Sequence, residues 1–242
     1  MDQIKYEEVN GKQIATYFSK PDNEDSKKII IMNHGFRSSS LGPARQFVDF
    51  QRILNKRGYS VLRFDQPNSA NSEGDYLDSS FKEWVNTTTY FINKYLNEGY
   101  KVALLGQSMG ATATVIATSQ PKVKDKVSCI LLWVPDSKLN VNPDPEEIFE
   151  EYAQKYKGKF WLGARDSDFF KCLDEFKGGV HLVYGEYDKY VEKESIQKTT
   201  EMVLEKGFTT TILKVQDHSP WTYDLVQKIY KEELELLNKY MN

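Results

Sequence analysis

Short, mostly apolar segments alternate with longer segments of helical spacing along most of this chain, and few folds accommodate that pattern. Residues 29–32, 60–64, 102–105, 129–134, 180–184 and 209–215 read as strands. Residues 43–57, 81–96, 109–118 and 193–206 read as helices, with a closing helix over 222–240. Phe47, Phe50, Ile53 and Leu54 share one side of the first helix, and Leu225, Ile229, Leu236 and Tyr240 lie near one face of the last. Gly58 and Gly99 end two of the helices. Apolar strands separated by amphipathic helices imply a mostly parallel sheet covered on both faces, an α/β fold. The first residues differ: 4–9 and 12–17 flank Asn10-Gly11, the dipeptide of a two-residue hairpin, and 21–28 is a charged loop. A length of 242 residues suits a single domain spanning 1–242.

Residues 137–179 interrupt the alternation. Asp144-Pro145-Glu146-Glu147 has the form of a helix start, with Asp144 as cap and Pro145 in the first turn. Ile148, Tyr152 and Tyr156 then recur every four residues. Ligands of parallel sheets bind beyond the carboxyl ends of the strands. A long excursion at that end is expected to form a small lid.

The same rule directs attention to the residues just after each strand. Gly106-Gln107-Ser108-Met109-Gly110 follows one strand and opens a helix. Gly-x-Ser-x-Gly alone arises by chance in roughly one chain in ten of this size, but strand before and helix after is the context of a nucleophile elbow. Such a turn holds Ser108 at a strained angle and points it out of the top of the sheet. Glycines at 106 and 110 avoid collisions with the adjoining strand and helix. Met109 then presents a backbone N–H at a helix N-terminus, where an oxyanion is stabilised.

A serine needs a base, and the chain has three histidines. His181 lies inside a strand and reads as a satisfied core residue. His34 ends an earlier strand and reads as a brace for its loop. His218 follows the last strand, which makes it the candidate base. Its orienting carboxylate is Asp188, after the penultimate strand, with Glu186 and Asp217 as rivals. The second oxyanion N–H belongs to Phe36, in the loop after the first central strand.

With His34-Gly35-Phe36, Gly106-Gln-Ser-Met-Gly110, Gly185-Glu-Tyr-Asp188 and Asp217-His218 in this order, the chain resembles the α/β-hydrolase superfamily over nearly its whole length. Within it, the chain is most similar to small bacterial carboxylesterases of the cinnamoyl (feruloyl) esterase type. That resemblance implies a central sheet of about eight strands, a modest lid between the strands carrying serine and acid, and a triad of Ser108, His218 and Asp188. Relatives commonly carry Asp-x-x-Gly-x-Gly-x-Ser-x-Gly after the next strand, where this chain has Asp65-Gln-Pro-Asn-Ser-Ala-Asn-Ser-Glu-Gly74. Asn68 tolerates a left-handed turn and Ala70 does so poorly, so this loop is expected to take its own shape.

The implied reaction is two-step acyl transfer to water with a small-molecule ester of small to medium or aromatic acyl group. Acyl transfer to other acceptors, thioester or short-peptide cleavage, and a receptor that keeps the triad with little turnover remain as alternatives. A peptidase would need an acidic anchor for a free N-terminus. Substrate-side candidates are His34, Trp133, Phe160, Trp161 and Trp221, with Phe169 and Phe170 elsewhere in the lid. Lys157, Lys159 and Arg165 read equally as an anion site or as solvated lid charges. No metal or cofactor is expected, since no Cys/His cluster has ligand spacing. A net charge of −3 without a Lys/Arg block argues against nucleic acid and anionic membranes. No apolar run approaches the roughly 20 residues of a membrane span. With no signal peptide and two cysteines, Cys129 and Cys172, reading as free thiols, the expected location is cytoplasmic. Monomer and homodimer are equally compatible with these features.

Overall fold

The computed structural model describes residues 3–21, 26–137, 139–151 and 153–242. Tyr152 and part of the 21–28 loop lie outside the described residues. In chain order the elements are β1 (Gln3–Val9), β2 (Lys12–Ser19), β3 (Lys28–Asn33), α1 (Gln46–Lys56), β4 (Ser60–Phe64), α2 (Phe81–Asn97), β5 (Lys101–Gln107), α3 (Met109–Thr118), β6 (Val127–Trp133), β7 (Ile148–Glu151), β8 (Gln154–Lys157), α4 (Lys159–Arg165), α5 (Phe169–Glu175), β9 (Gly179–Gly185), α6 (Lys193–Glu205), β10 (Thr209–Leu213) and α7 (Tyr223–Met241). Among the described residues, no helix is long and apolar enough to cross a membrane.

Eight strands form one sheet in the order β1-β2-β4-β3-β5-β6-β9-β10. The β1–β2 and β2–β4 pairs are antiparallel and the others parallel. Asn10 and Gly11 both have positive φ, 53° and 82°, as the two-residue turn between β1 and β2 requires. β4 and β9 are buried at every residue and β3 and β5 at all but the first. Burial without alternation means that both faces of the central sheet are covered. α1 and α7 pack together, with the Phe50 and Tyr230 rings stacked at 4.4 Å. α3 is buried over its whole length, which its Gly, Ala and Thr residues allow. The chain leaves β3 toward β4 on one side and reaches β5 on the other, so a crevice opens at the carboxyl ends of β3 and β5.

The excursion between β6 and β9 departs from its expected helix. The Asp144 Oδ1 accepts the Glu146 N–H at 2.9 Å, and the Glu147 N–H reaches the Asp144 carbonyl at 3.1 Å. This is a turn rather than a helix cap. It feeds the antiparallel β7–β8 hairpin, in which Phe149 and Tyr156 are cross-strand partners with rings stacked at 5.6 Å. Tyr156 therefore owes its place to pairing with Phe149 across the hairpin rather than to a helical face, which local periodicity does not reveal. α4 and α5 follow as two short helices.

The 65–74 loop also differs from expectation. Asn68 (φ 65°) and Ala70 (φ 47°) both occupy the left-handed region, so the turn keeps the shape that glycines usually supply. Ala70 does so at a cost of about 1 kcal/mol. The Asp65 carboxylate offsets this by accepting the N–H of Ser40 at 2.7 Å and of Asn71 at 3.2 Å.

His181 is a satisfied core histidine. It lies within 3.5 Å of both Glu232 and Glu233, and its Nε2 sits 3.2 Å from Thr211 Oγ1. Burial alone would lower its pKa, but hydrogen bonds and the field of the two glutamates raise it to about 9. Glu232, held near 2 chiefly by His181, is the anion of the group, whereas burial pushes Glu233 up. Since the folded-state value of His181 exceeds the ordinary 6.5, its pairing stabilises the fold fully below 6.5 and loses that contribution as pH rises through about 9. In urea unfolding, His181→Gln should cost about 3 kcal/mol at pH 6, and the deficit should shrink above pH 9. A deficit independent of pH would refute the ion-pair account.

Candidate active site

The turn from β5 into α3 places Ser108 at φ 55° and ψ −128°, a strained conformation for a residue with a side chain. Its N–H is held by the Trp133 carbonyl on β6 at 2.8 Å, and its carbonyl accepts the Ala111 N–H at 2.8 Å. A side chain at Gly106 would collide with the backbone of Ala111, and one at Gly110 with the carbonyls of Asn33 and His34. Ser108 is the one residue between 102 and 118 that is not buried. The turn thus exposes a single hydroxyl at the N-terminal end of a helix whose first N–H groups have no intrahelical partner.

β9 and β10 pair in parallel register up to Gly185 opposite Leu213, so the loops after them are neighbours. The His218 Nδ1 lies 2.8 Å from Asp188 Oδ2. The other Asp188 oxygen accepts the N–H groups of Tyr190 and Val191, at 2.9 and 3.0 Å. Three polar contacts fix this carboxylate, whose side chain is fully buried. The rivals are engaged elsewhere. Glu186 pairs with Lys214 at 2.8 Å, and Asp217 with Lys189 at 2.7 Å, each holding its pKa down.

The loop after β3 lies beside the serine turn, with Asn33 opposite Gly106. His34 is fully buried. Its Nε2 accepts the Gln66 N–H at 2.9 Å and its Nδ1 lies 2.8 Å from the Gly35 carbonyl, a pattern that fits the neutral ring protonated on Nδ1. Burial lowers its pKa, consistent with that form. Gln107, which sequence reasoning passed over inside the pentapeptide, bridges two loops. Its Oε1 accepts the Gly35 N–H at 3.0 Å and its Nε2 donates to Ser219 Oγ at 3.1 Å.

A cavity of about 760 Å³ opens over these loops, and its walls include Ser108, Met109, Phe36, His218 and Trp161. The other four aromatic or histidine candidates for the substrate side are outside this lining. His34 braces its loop. Trp133 is buried, with its Nε1 donating to Glu233 Oε1 at 2.5 Å. Phe160 is buried between Phe36 and Trp84, and Trp221 donates to the Asp217 carbonyl at 3.0 Å. Large aromatic side chains near a site in sequence were taken up by the core behind it. Phe169 is also buried, and the Lys198 ammonium sits over the Phe170 ring.

Phe149, Tyr156 and Tyr190 line the cavity unannounced by the sequence pattern, as do Asp136, Glu147 and Glu151. Asp136 stands just beyond β6, so the strand-end rule could have found it. Burial first, then the carboxylates of Asp188 and Glu192, push its pKa up to about 7. Lys157, Lys159 and Arg165 pair with Glu146, Asp78 and Asp166. Among the described residues, Arg37 is the only lysine or arginine of the cavity wall, and no group of three His, Cys, Asp or Glu side chains is placed to hold a metal ion.

The family model for serine aminopeptidase, S33, matches residues 24–171, well over half of the chain. The match includes Phe36 and Ser108 and stops short of Asp188 and His218. Among solved structures, Est1E from Butyrivibrio proteoclasticus with ferulic acid bound superposes with a TM-score of 0.82 at 18% identity, over 96% of this chain and 99% of that one. An esterase from Pyrococcus furiosus gives 0.71 at 18% identity, over 100% and 91%. The α/β hydrolase GrgF from a Penicillium species gives 0.79 at 15% identity, over 100% and 98%. A curated relative, cyclic GMP-AMP synthase-like receptor 1 of Drosophila simulans, is 33% identical over 69 residues, which is 28% of this chain and only 18% of the length of that protein. With an eight-stranded, mostly parallel sheet and a strained serine turn at its carboxyl edge, the chain has the α/β-hydrolase fold and belongs to the serine aminopeptidase S33 family.

Proposed function

We propose that the chain hydrolyses carboxylic esters through Ser108, His218 and Asp188. Ser108 Oγ attacks the ester carbonyl as His218 Nε2 takes its proton. Asp188 holds the imidazole by its Nδ1–H and stabilises the imidazolium. The N–H groups of Phe36 and Met109 bind the oxyanion. His218 then protonates the departing alcohol and activates the water that frees the acid. The observation that carries this proposal is the 2.8 Å contact between His218 Nδ1 and Asp188 Oδ2. It occupies one ring nitrogen of a cavity-lining histidine and keeps Nε2 available for the serine. Free Cys129 and Cys172 fit a reducing, cytoplasmic location.

Phe149, Tyr156, Trp161 and Tyr190 give the cavity aromatic walls suited to an apolar or aromatic acyl group, and the likeness to Est1E with its ferulic acid supports the same choice. A second substrate class has its own support. Asp136 and Glu147 line the cavity, and such carboxylates would anchor the free amine of an aminoacyl amide, as the family name suggests.

Ser108→Ala should reduce kcat on an ester by about four orders of magnitude or more with an unchanged melting temperature. A fluorophosphonate should label Ser108 in the parent protein. Near-normal turnover by that variant, or labelling elsewhere, would remove Ser108 from the mechanism. A panel pairing hexanoyl and hydroxycinnamoyl esters with 6-aminohexanoyl esters and aminoacyl amides separates the two substrate classes. If the acidic wall selects amines, preference for the aminohexanoyl ester over the hexanoyl ester should grow as pH rises through about 7, where Asp136 ionises, and Asp136→Asn should flatten that rise. Equal pH dependence for both esters would leave the neutral-ester reading alone.

A further inference from the structure

The residue that follows the proposed oxyanion donor is tied to the insertion between β6 and β9. Arg37 Nη1 forms an ion pair with Glu151 Oε2, at the end of β7. Its backbone N–H donates to the Tyr76 hydroxyl at 2.7 Å. Arg37 has φ 56°, a left-handed conformation that an L-residue with a long side chain disfavours. The loop closes its own turn through the Ser38 N–H and the Gly35 carbonyl at 3.3 Å, and the Tyr76 hydroxyl and Glu151 carboxylate hold Arg37 from outside it.

The Phe36 ring is held from the same side. Its centroid lies 4.9 Å from Tyr156, 4.5 Å from Phe160 and 4.7 Å from Trp161, all three in the insertion. Its remaining ring neighbours, Tyr76 and Trp84, stand at 5.2 and 6.3 Å. The insertion thus grips the loop twice: Tyr156 of the hairpin and Phe160 and Trp161 of α4 pack on Phe36, and Glu151 of the hairpin meets Arg37 by charge. The aromatic contacts carry burial but little direction. The ion pair adds a charge contact that draws the Arg37 side chain toward β7, next to the peptide whose N–H must point into the cavity.

We propose that Glu151 is a positioning residue for the hydrolysis: through Arg37 it holds the Phe36 N–H where the oxyanion forms, so that the oxyanion site is complete only with the β7–β8 hairpin seated. This rests on the proposal above that the Phe36 N–H binds the oxyanion. The Arg37 and Glu151 side chains are 22% and 47% exposed, so the pair adds little to global stability. Its effect falls on the geometry of the transition state.

The test is Glu151→Gln in the full chain, with Arg37→Glu and the charge-swapped double variant Arg37→Glu/Glu151→Arg. Loss of an oxyanion donor typically costs about 10²–10³ in kcat, and misplacing one should cost about tenfold to a hundredfold. For Glu151→Gln, kcat should fall by that factor while KM stays within about twofold and the melting temperature is unchanged. Affinity for a trifluoromethyl ketone, which presents an oxyanion to the same donors, should fall by the factor lost in kcat/KM. The double variant should recover most of the loss of either single one. Unchanged kcat, a loss confined to KM, unmoved ketone affinity, or a double variant no better than the worse single one would each overturn the proposal. Ser108→Ala, run alongside, separates the two levels. If it abolishes turnover while Glu151→Gln leaves kcat unchanged, only the positioning role fails; if it retains turnover, the serine mechanism fails first.

Discussion

The close approach of α3 to the end of β3 governs what can be built above this sheet. Gly110 faces the carbonyls of Asn33 and His34 with no room for a methyl group. The buried Asn33 amide fastens the junction, donating to Thr114 Oγ1 on α3 at 2.7 Å and accepting from Thr88 on α2 at 3.2 Å. A helix that close brings its N-terminus, the strained serine and the loop after β3 into one small volume. The acid and base loops reach that volume because β6, β9 and β10 continue the sheet in parallel register.

Backbone strain gathers at the same edge. Arg37 after β3, Asn68 and Ala70 after β4, Ser108 after β5, Val134 after β6 and Val215 after β10 all have positive φ without being glycine. Val134 is β-branched, for which this region is least comfortable. Each such residue costs of order 1 kcal/mol or more and persists only where surrounding contacts over-determine it. At the opposite end, Gly58, Gly99 and Gly207 supply positive φ, and Asp125 is the one non-glycine residue there among the described residues that does so. Non-glycine residues of positive φ are therefore concentrated at the carboxyl end of the sheet, where the candidate catalytic groups also lie.

Much of this architecture was legible because it depends on local rules. Apolar strands, helix-stopping glycines and the Asn10-Gly11 turn are determined by backbone sterics and burial, and the strand-end rule led to Ser108 and His218, which line one cavity, and to Asp188, which lies buried against His218. The insertion was misjudged because its structure is not local. Ile148 to Tyr156 has a helical recurrence, yet the pairing of Phe149 with Tyr156 and the packing of that hairpin on Phe36 decide the outcome. Trp133, Phe160 and Trp221 were mislocated for a related reason, since proximity in sequence to a loop says nothing about which side of the loop a ring packs on. Arg37 was legible only as a charge, because its partner lies more than a hundred residues further along the chain.

Gln107 has a consequence for how much this site can change. Its single side-chain amide accepts a hydrogen bond from one loop and donates one to another. A carboxylate of the same length would keep the first contact and lose the second, and a shorter amide could not span the gap. The second position of the pentapeptide is thus a gauge block, cut to one length and one polarity. Any drift in the spacing of the flanking loops would have to be matched there first.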